Sequence, residues 1–80
     1  MQLHLYTTLG CHLCEHALEV IKPCIESIDF DIQLDSVDIA ESEQLVELYG
    51  IRIPVLKRCD NNQEIGWPFD SDDVMRFLLG

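Results

Sequence analysis

Leu3-His4-Leu5-Tyr6-Thr7-Thr8-Leu9-Gly10-Cys11-His12-Leu13-Cys14 is the stretch whose reading decides the fold. Its first four residues alternate apolar and polar, the period of a half-buried strand, and the pattern stops at Thr7-Thr8-Leu9-Gly10. From Cys14 onward the period changes. Cys14, Ala17, Leu18, Ile21, Ile25 and Ile28 recur at three- and four-residue intervals, while Glu15, Glu19, Lys22 and Glu26 face the other way. A strand therefore gives way to an amphipathic helix at the two cysteines. Pro23 lies inside the helical pattern. It has no N–H, and its ring crowds the preceding turn, so a kink or an early end is expected there.

Working outward, Phe30 to Ile39 carries a second alternation through Ile32, Leu34, Val37 and Ile39. Asp38-Ile39-Ala40-Glu41 has capping-box spacing and predicts a helix with Leu45, Leu48 and Tyr49 on one side, stopped by Gly50 at C′. Ile53–Arg58 and Gln63–Trp67 read as a hairpin about the turn Asp60-Asn61-Asn62. Pro68-Phe69-Asp70-Ser71 leads into a last helix, with Asp70 or Ser71 as N-cap and Val74, Met75, Phe77 and Leu78 as its apolar side. The order is β-α-β-α-β-β-α. The first two strands need a crossover, so they are expected to be parallel and right-handed, and the hairpin adds antiparallel strands. The simplest assembly is an α/β fold with a four-stranded mixed sheet and helices on both faces.

The chain has 80 residues, which suits a single domain over 1–80, and its 48% apolar content suits a packed core rather than disorder. Fifteen acidic residues against five basic ones give a formal charge of −10. That balance disfavours nucleic acid, which needs clustered Lys and Arg, and it disfavours an anionic membrane surface. It is compatible with a basic protein partner and equally with simple solubility. The start of the chain has neither a basic n-region nor a long apolar h-region, and no apolar run approaches a membrane span. A cytoplasmic monomer is the expectation. Four cysteines in such a chain suggest redox or metal chemistry more than a structural disulfide framework.

Cys11 and Cys14 stand at the join of strand and helix. The free N–H groups and positive dipole end of a helix start stabilise an anion there, and the thiolate is the nucleophile in disulfide exchange. Cys11 is assigned as nucleophile. Cys14, one turn on and at the head of the apolar stripe, is assigned as the less exposed resolving thiol. His12 would assist by donating a hydrogen bond to the Cys11 sulfur, whereas Glu15 opposes a thiolate. A metal site would need two further ligands from His4, His16, Cys24 and Cys59, and no second C-x-x-C or H-x-x-x-H accompanies the pair. Cys24 reads as core, Cys59 as incidental, and His4 and His16 as surface or satisfied histidines.

Taken together, Leu5-Tyr6-Thr7-Thr8, Cys11-His12-Leu13-Cys14, Val37-Asp38-Ile39 and Tyr49-Gly50-Ile51-Arg52-Ile53-Pro54-Val55-Leu56 resemble, in order and over nearly the whole chain, the glutaredoxin-like branch of the thioredoxin superfamily. The resemblance implies a thiol–disulfide oxidoreductase acting on protein or glutathione mixed disulfides. Glutathione would be a co-substrate, with no tightly bound cofactor and no metal. It also implies a cis bond before Pro54, which lies against the cysteine pair, and a backbone at Ile53 that pairs with substrate. The chain departs from glutathione-dependent relatives in several places. His12-Leu13 replace Pro-Tyr between the cysteines, Thr8 stands for a lysine, Arg52-Ile53-Pro54 stands for Thr-Val-Pro, and Gly66-Trp67-Pro68-Phe69 replaces a Gly-Gly stretch. Arg52 then offers a cation to a glutathione carboxylate, and the helix start at Ser71 and Asp72 offers N–H groups. Trp67 and Phe69 would form an apolar wall for a protein substrate, beside His12 and Leu13. The competing readings are a metal or iron–sulfur module using Cys11 and a non-catalytic interaction domain.

Overall fold

Two-sided burial of the first strand organises the layers. In the computed structural model, which describes residues 1–80, that strand is Gln2–Thr7 (β1). Helix His12–Glu26 (α1), strand Gln33–Asp38 (β2), a 3-10 turn Ile39–Glu41 and helix Glu43–Tyr49 (α2) follow. Strands Val55–Arg58 (β3) and Glu64–Gly66 (β4) and helix Ser71–Leu79 (α3) complete the chain. The sheet order is β2-β1-β3-β4, with β1 parallel to β2 and antiparallel to β3, and β3 antiparallel to β4. Leu3 and Leu5 of β1 join Leu56 of β3 against Ala17, Ile21 and Cys24 of α1 and Val74, Phe77 and Leu78 of α3. Tyr6 of β1 and Val55 of β3 face the other way and pack with Ile39 and with Tyr49 of α2. Helices thus cover both faces of a four-stranded mixed sheet, in the element order that the periodicities predict.

Four local expectations change. α1 continues past Pro23 but ends at Glu26, where the Ser27 N–H bonds the carbonyls of Pro23 at 3.1 Å and Cys24 at 3.2 Å, so Ile28 falls outside it. The proline lies one turn from the helix end, where little helix remains to be disturbed. Asp38 does cap, yet it caps the 3-10 turn, accepting from the Ala40 N–H at 2.9 Å. α2 starts later, capped by Ser42, and only Leu45 and Tyr49 face the sheet, leaving Leu48 exposed. Gly50 ends that helix in a right-handed conformation (φ −49, ψ −40), bonding the Val46 carbonyl at 2.8 Å, instead of the left-handed C′ geometry. α3 has the expected cap at Asp70, completed by a reciprocal bond from the Asp70 N–H to the Asp73 carboxylate.

The hairpin turn is closed by Asn62 at φ 60, a left-handed geometry that Asn tolerates. Beside it, Arg58 is the one buried charged residue. Its guanidinium donates to the carbonyls of Phe77 at 2.8 Å and Gly80 at 3.0 Å, and pairs with both carboxylate oxygens of Asp60. A cation at a helix C-terminus complements the dipole and satisfies carbonyls that have no intrahelical donor. The Asp60 carboxyl is held below its usual range by those Arg58 bonds.

Ile21 is wholly buried between the sheet and the two helices. Ile21→Ala is expected to cost about 2–5 kcal/mol, read as a lower midpoint in urea unfolding, because the cavity is bounded by the sheet and cannot collapse freely.

Candidate functional site

β1 ends at Thr7, and the chain turns through Gly10, whose φ of +75 is left-handed and open to glycine without strain. That turn delivers Cys11 to the N-cap of α1 in an extended conformation (φ −84, ψ 101). Its sulfur accepts the backbone N–H of Cys14 at 3.2 Å. The two cysteines form a disulfide with a Cα separation of 5.3 Å, which lies in the range such bonds need. Cys11 is half-buried and Cys14 is 3% exposed, so the pair is asymmetric in the expected sense. His12 does not reach the sulfur. It is exposed, and its Nδ1 lies 3.6 Å from the Glu15 carboxylate. Leu13 is half exposed between the cysteines, and Leu9 is 91% exposed in the turn before them.

The β1–β3 register brings Pro54 to the same end of the sheet. Tyr6 pairs with Val55, so the next step along each strand sets Thr7 beside Pro54. The Ile53–Pro54 bond is cis, and so is Trp67–Pro68. Pro54 is buried, and its carbonyl accepts the Trp67 N–H at 3.0 Å. The Ile53 N–H is already bonded to the Tyr49 carbonyl at 3.1 Å, while the Ile53 carbonyl has no partner within the chain. Ile51, at the head of this loop, is fully exposed.

Arg52 has turned away to the α2 face. It donates to Glu64 Oε1 at 3.1 Å and to the Leu48 carbonyl at 3.3 Å, and its guanidinium carbon sits 5.4 Å from the centre of the Tyr49 ring. Tyr49 stacks on Tyr6 at 4.1 Å and donates its hydroxyl to the other Glu64 oxygen. Burial opposes ionisation of Glu64, but the bonds from Tyr49 and Arg52 outweigh it and hold the carboxyl below its usual range. Burial, then the neighbouring Glu64, pushes the Tyr49 hydroxyl up. Tyr49 and Glu64 are the residues that sequence reasoning missed. They lie on different elements, and no local period links them.

Several anticipated residues lie elsewhere. Ser71 sits against Cys24, its carbonyl 3.7 Å from that sulfur. Cys24 is thirteen residues beyond Cys11, or about 20 Å along a helix of 1.5 Å rise, so the α3 start is not brought to the cysteine pair. Asp70 at its N-cap and Asp72 and Asp73 in its first turn disfavour an anion. Phe69 is buried in the main core with the Trp67 ring against it at 5.1 Å, so the two do not form a free wall. Burial, with Asp72 adding to it, pushes the Cys24 thiol up, and Cys59 is free and exposed. A cleft of about 450 Å³ between β4 and α3, lined by Pro68, Phe69, Asp73 and Arg76, contains neither cysteine of the pair. No group of three or more His, Cys, Asp or Glu side chains is positioned to hold a metal ion, and no helix is long and apolar enough to cross a membrane.

A mixed β2-β1-β3-β4 sheet with helices on both faces, a C-x-x-C disulfide at the first strand–helix join and a cis-proline opposite define a thioredoxin-fold protein with a redox-type site. The chain belongs to the glutaredoxin-like domain family (DUF836), whose model matches residues 2–79. It is similar to the X-ray structure of the protein XcR50 from X. campestris, at 33% identity and a TM-score of 0.79, covering 95% of this chain and 93% of that one. It is also similar to the solution structure of Ne2328 from Nitrosomonas europaea, at 30% identity and a TM-score of 0.79, covering 95% and 88%. Thioredoxin 1 from Thermosipho africanus shares the fold, at 17% identity and a TM-score of 0.70, covering 99% and 91%. A comparison with curated proteins found no match.

The Glu64 network has a pH signature. The folded chain binds the Glu64 proton more weakly than the unfolded chain, so its stabilising contribution is complete above the ordinary value of 4.5 and disappears as pH falls through the lower folded value. Between about pH 5 and pH 3, Glu64→Gln is expected to lose less stability than the parent chain, measured by urea midpoints at each pH.

Proposed function

We propose that this protein is a dithiol–disulfide oxidoreductase in which Cys11 attacks and Cys14 resolves. The observation that carries this reading is the Cys11 sulfur at the α1 N-cap, accepting the Cys14 N–H at 3.2 Å. The same N–H and the helix dipole stabilise a thiolate at Cys11 in the reduced protein. That thiolate attacks one sulfur of a substrate disulfide, forming a mixed disulfide and expelling the other sulfur as a thiolate, which takes up a proton from solvent. Cys14, deprotonated in turn, attacks the Cys11 sulfur. The Cys11–Cys14 bond forms, and the second substrate sulfur leaves and is protonated. Two electrons pass from the dithiol to the substrate, and an external dithiol reductant restores the reduced pair.

The unpartnered Ile53 carbonyl beside Pro54 supports a substrate backbone running along this edge. The Ile53 N–H, held by Tyr49, leaves the acceptor half of that pairing for the substrate's own N–H. The chemistry asks for no resident metal or cofactor, and the free thiols of Cys24 and Cys59 suit the reducing cytoplasm.

A coupled assay of the reduced protein with a disulfide substrate and a dithiol reductant tests the reading. Cys11→Ser is expected to lower turnover roughly 10³-fold or more, as loss of a nucleophile does. Cys14→Ser is expected to accumulate a mixed disulfide on Cys11, seen as added mass that a reductant removes. Undiminished turnover in Cys11→Ser would overturn it.

A further inference from the structure

A disulfide reductant has to tolerate the charges that flank its substrate's sulfurs, and the rim of this pair is apolar and anionic. Leu9 is 91% exposed, Leu13 is 50% exposed and Ile51 is fully exposed, all on the segments that carry Cys11, Cys14 and Pro54. Glu15, the residue after Cys14, is exposed, with the His12 Nδ1 3.6 Å from its carboxylate. The one cation on these segments, Arg52, is half exposed but already paired on the α2 face: Glu64 accepts from its guanidinium at 3.1 Å, and Tyr49 donates to Glu64 in turn. The α3 start, the other place where a substrate carboxylate would find N–H groups, carries three aspartates and lies against Cys24. The whole chain bears −10. A small disulfide rich in carboxylates therefore meets no unpaired arginine or lysine on these segments and a repulsive field. A polypeptide disulfide with cationic and apolar neighbours meets complementary charge and three exposed apolar side chains.

We propose that the pair selects polypeptide disulfides flanked by cationic and apolar residues, and that Glu64 sets this selection by holding Arg52 away from substrate carboxylates. The proposal rests on the oxidoreductase reading. Glu64 and Arg52 act as positioning residues, and neither touches the reacting sulfurs. The electron balance is the one given above. The Cys11–Cys14 dithiol is oxidised to its disulfide, the substrate disulfide is reduced to two thiols, and a dithiol reductant closes the cycle.

The experiment mixes pre-reduced full-length protein, freed of reductant, with three oxidised substrates in single turnover. These are a disulfide peptide flanked by Lys and Leu, the same peptide with Glu in place of Lys, and glutathione disulfide. Thiol release is followed at low salt and at about 0.5 M salt, where exposed charges are screened within a few ångströms. The Lys peptide is expected to react roughly tenfold or more faster than either anionic substrate at low salt, with the gap shrinking at high salt. In Glu64→Gln, the ratio of Lys-peptide to glutathione-disulfide rates is expected to fall several-fold, and Arg52→Gln added to that variant is expected to restore it. The restoration separates release of Arg52 from a general loosening of the loop. Equal rates for the two peptides at low salt overturn the charge selection while leaving the oxidoreductase reading standing. An unchanged ratio in Glu64→Gln overturns the role of Glu64. Absence of reaction with all three substrates overturns the oxidoreductase reading and this inference together.

Discussion

Burial of β1 on both sides is the constraint on which the rest of the molecule depends. Leu3 and Leu5 are sealed under α1 and α3, while Tyr6 is sealed under α2. A one-residue slip would exchange these faces, so the register against β2 and β3 is fixed by packing. Two consequences for chemistry follow at the strand's end. The chain leaves the sheet at Thr7, which puts Cys11 at the N-cap of α1, and β3 enters beside it, which puts Pro54 next to Thr7. The disulfide pair and the proline at the same end of the sheet are thus products of one strand's side-chain alternation.

The same logic explains which features were legible in sequence. Periodicity and the Asp60-Asn61-Asn62 turn signal account for the four strands and three α-helices, because these depend on residues within a dozen positions or so; the 3-10 turn Ile39–Glu41 has no such signal. The join at Cys11 was legible because the change from a two-residue to a 3.6-residue period falls there. The asymmetry of the cysteines followed from Cys14 heading the apolar stripe. Asp38-Ile39-Ala40-Glu41 misled because a cap favours any helical start, and the 3-10 turn and the later α-helix differ only in how far the chain continues. Arg52 was identified as a charge but not in its final position. Its partner Glu64 is twelve residues away on another element, and nothing in either segment announces the other. Ser71 and Asp72 had the right local chemistry for an anion site, but the packing of α3 on the far half of α1 decided their distance from the cysteines.

Electrostatics and fold are joined most closely on the α2 face. Tyr6, Tyr49, Arg52 and Glu64 form a stacked and hydrogen-bonded chain from β1 through α2 to β4. It ties down the loop that carries Ile53 and Pro54, whose Arg52 and Ile53 N–H groups also bond the Tyr49 carbonyl. The loop's geometry and its charge are therefore set by the same contacts. A substitution there alters both, which is why the charge question has to be separated from the packing question by a compensating change.

The unequal environments of the four sulfurs have a practical consequence. Cys24 is buried where α1 meets the start of α3 and its thiol is pushed up by burial, whereas Cys59 stands exposed at the hairpin turn. A thiol-modifying reagent thus finds one open sulfur in the disulfide form and gains Cys11 when the bond is cut. Cys59 serves as a built-in constant against which the labelling of Cys11 is counted, so the molecule carries its own reference for the fraction of protein that is reduced.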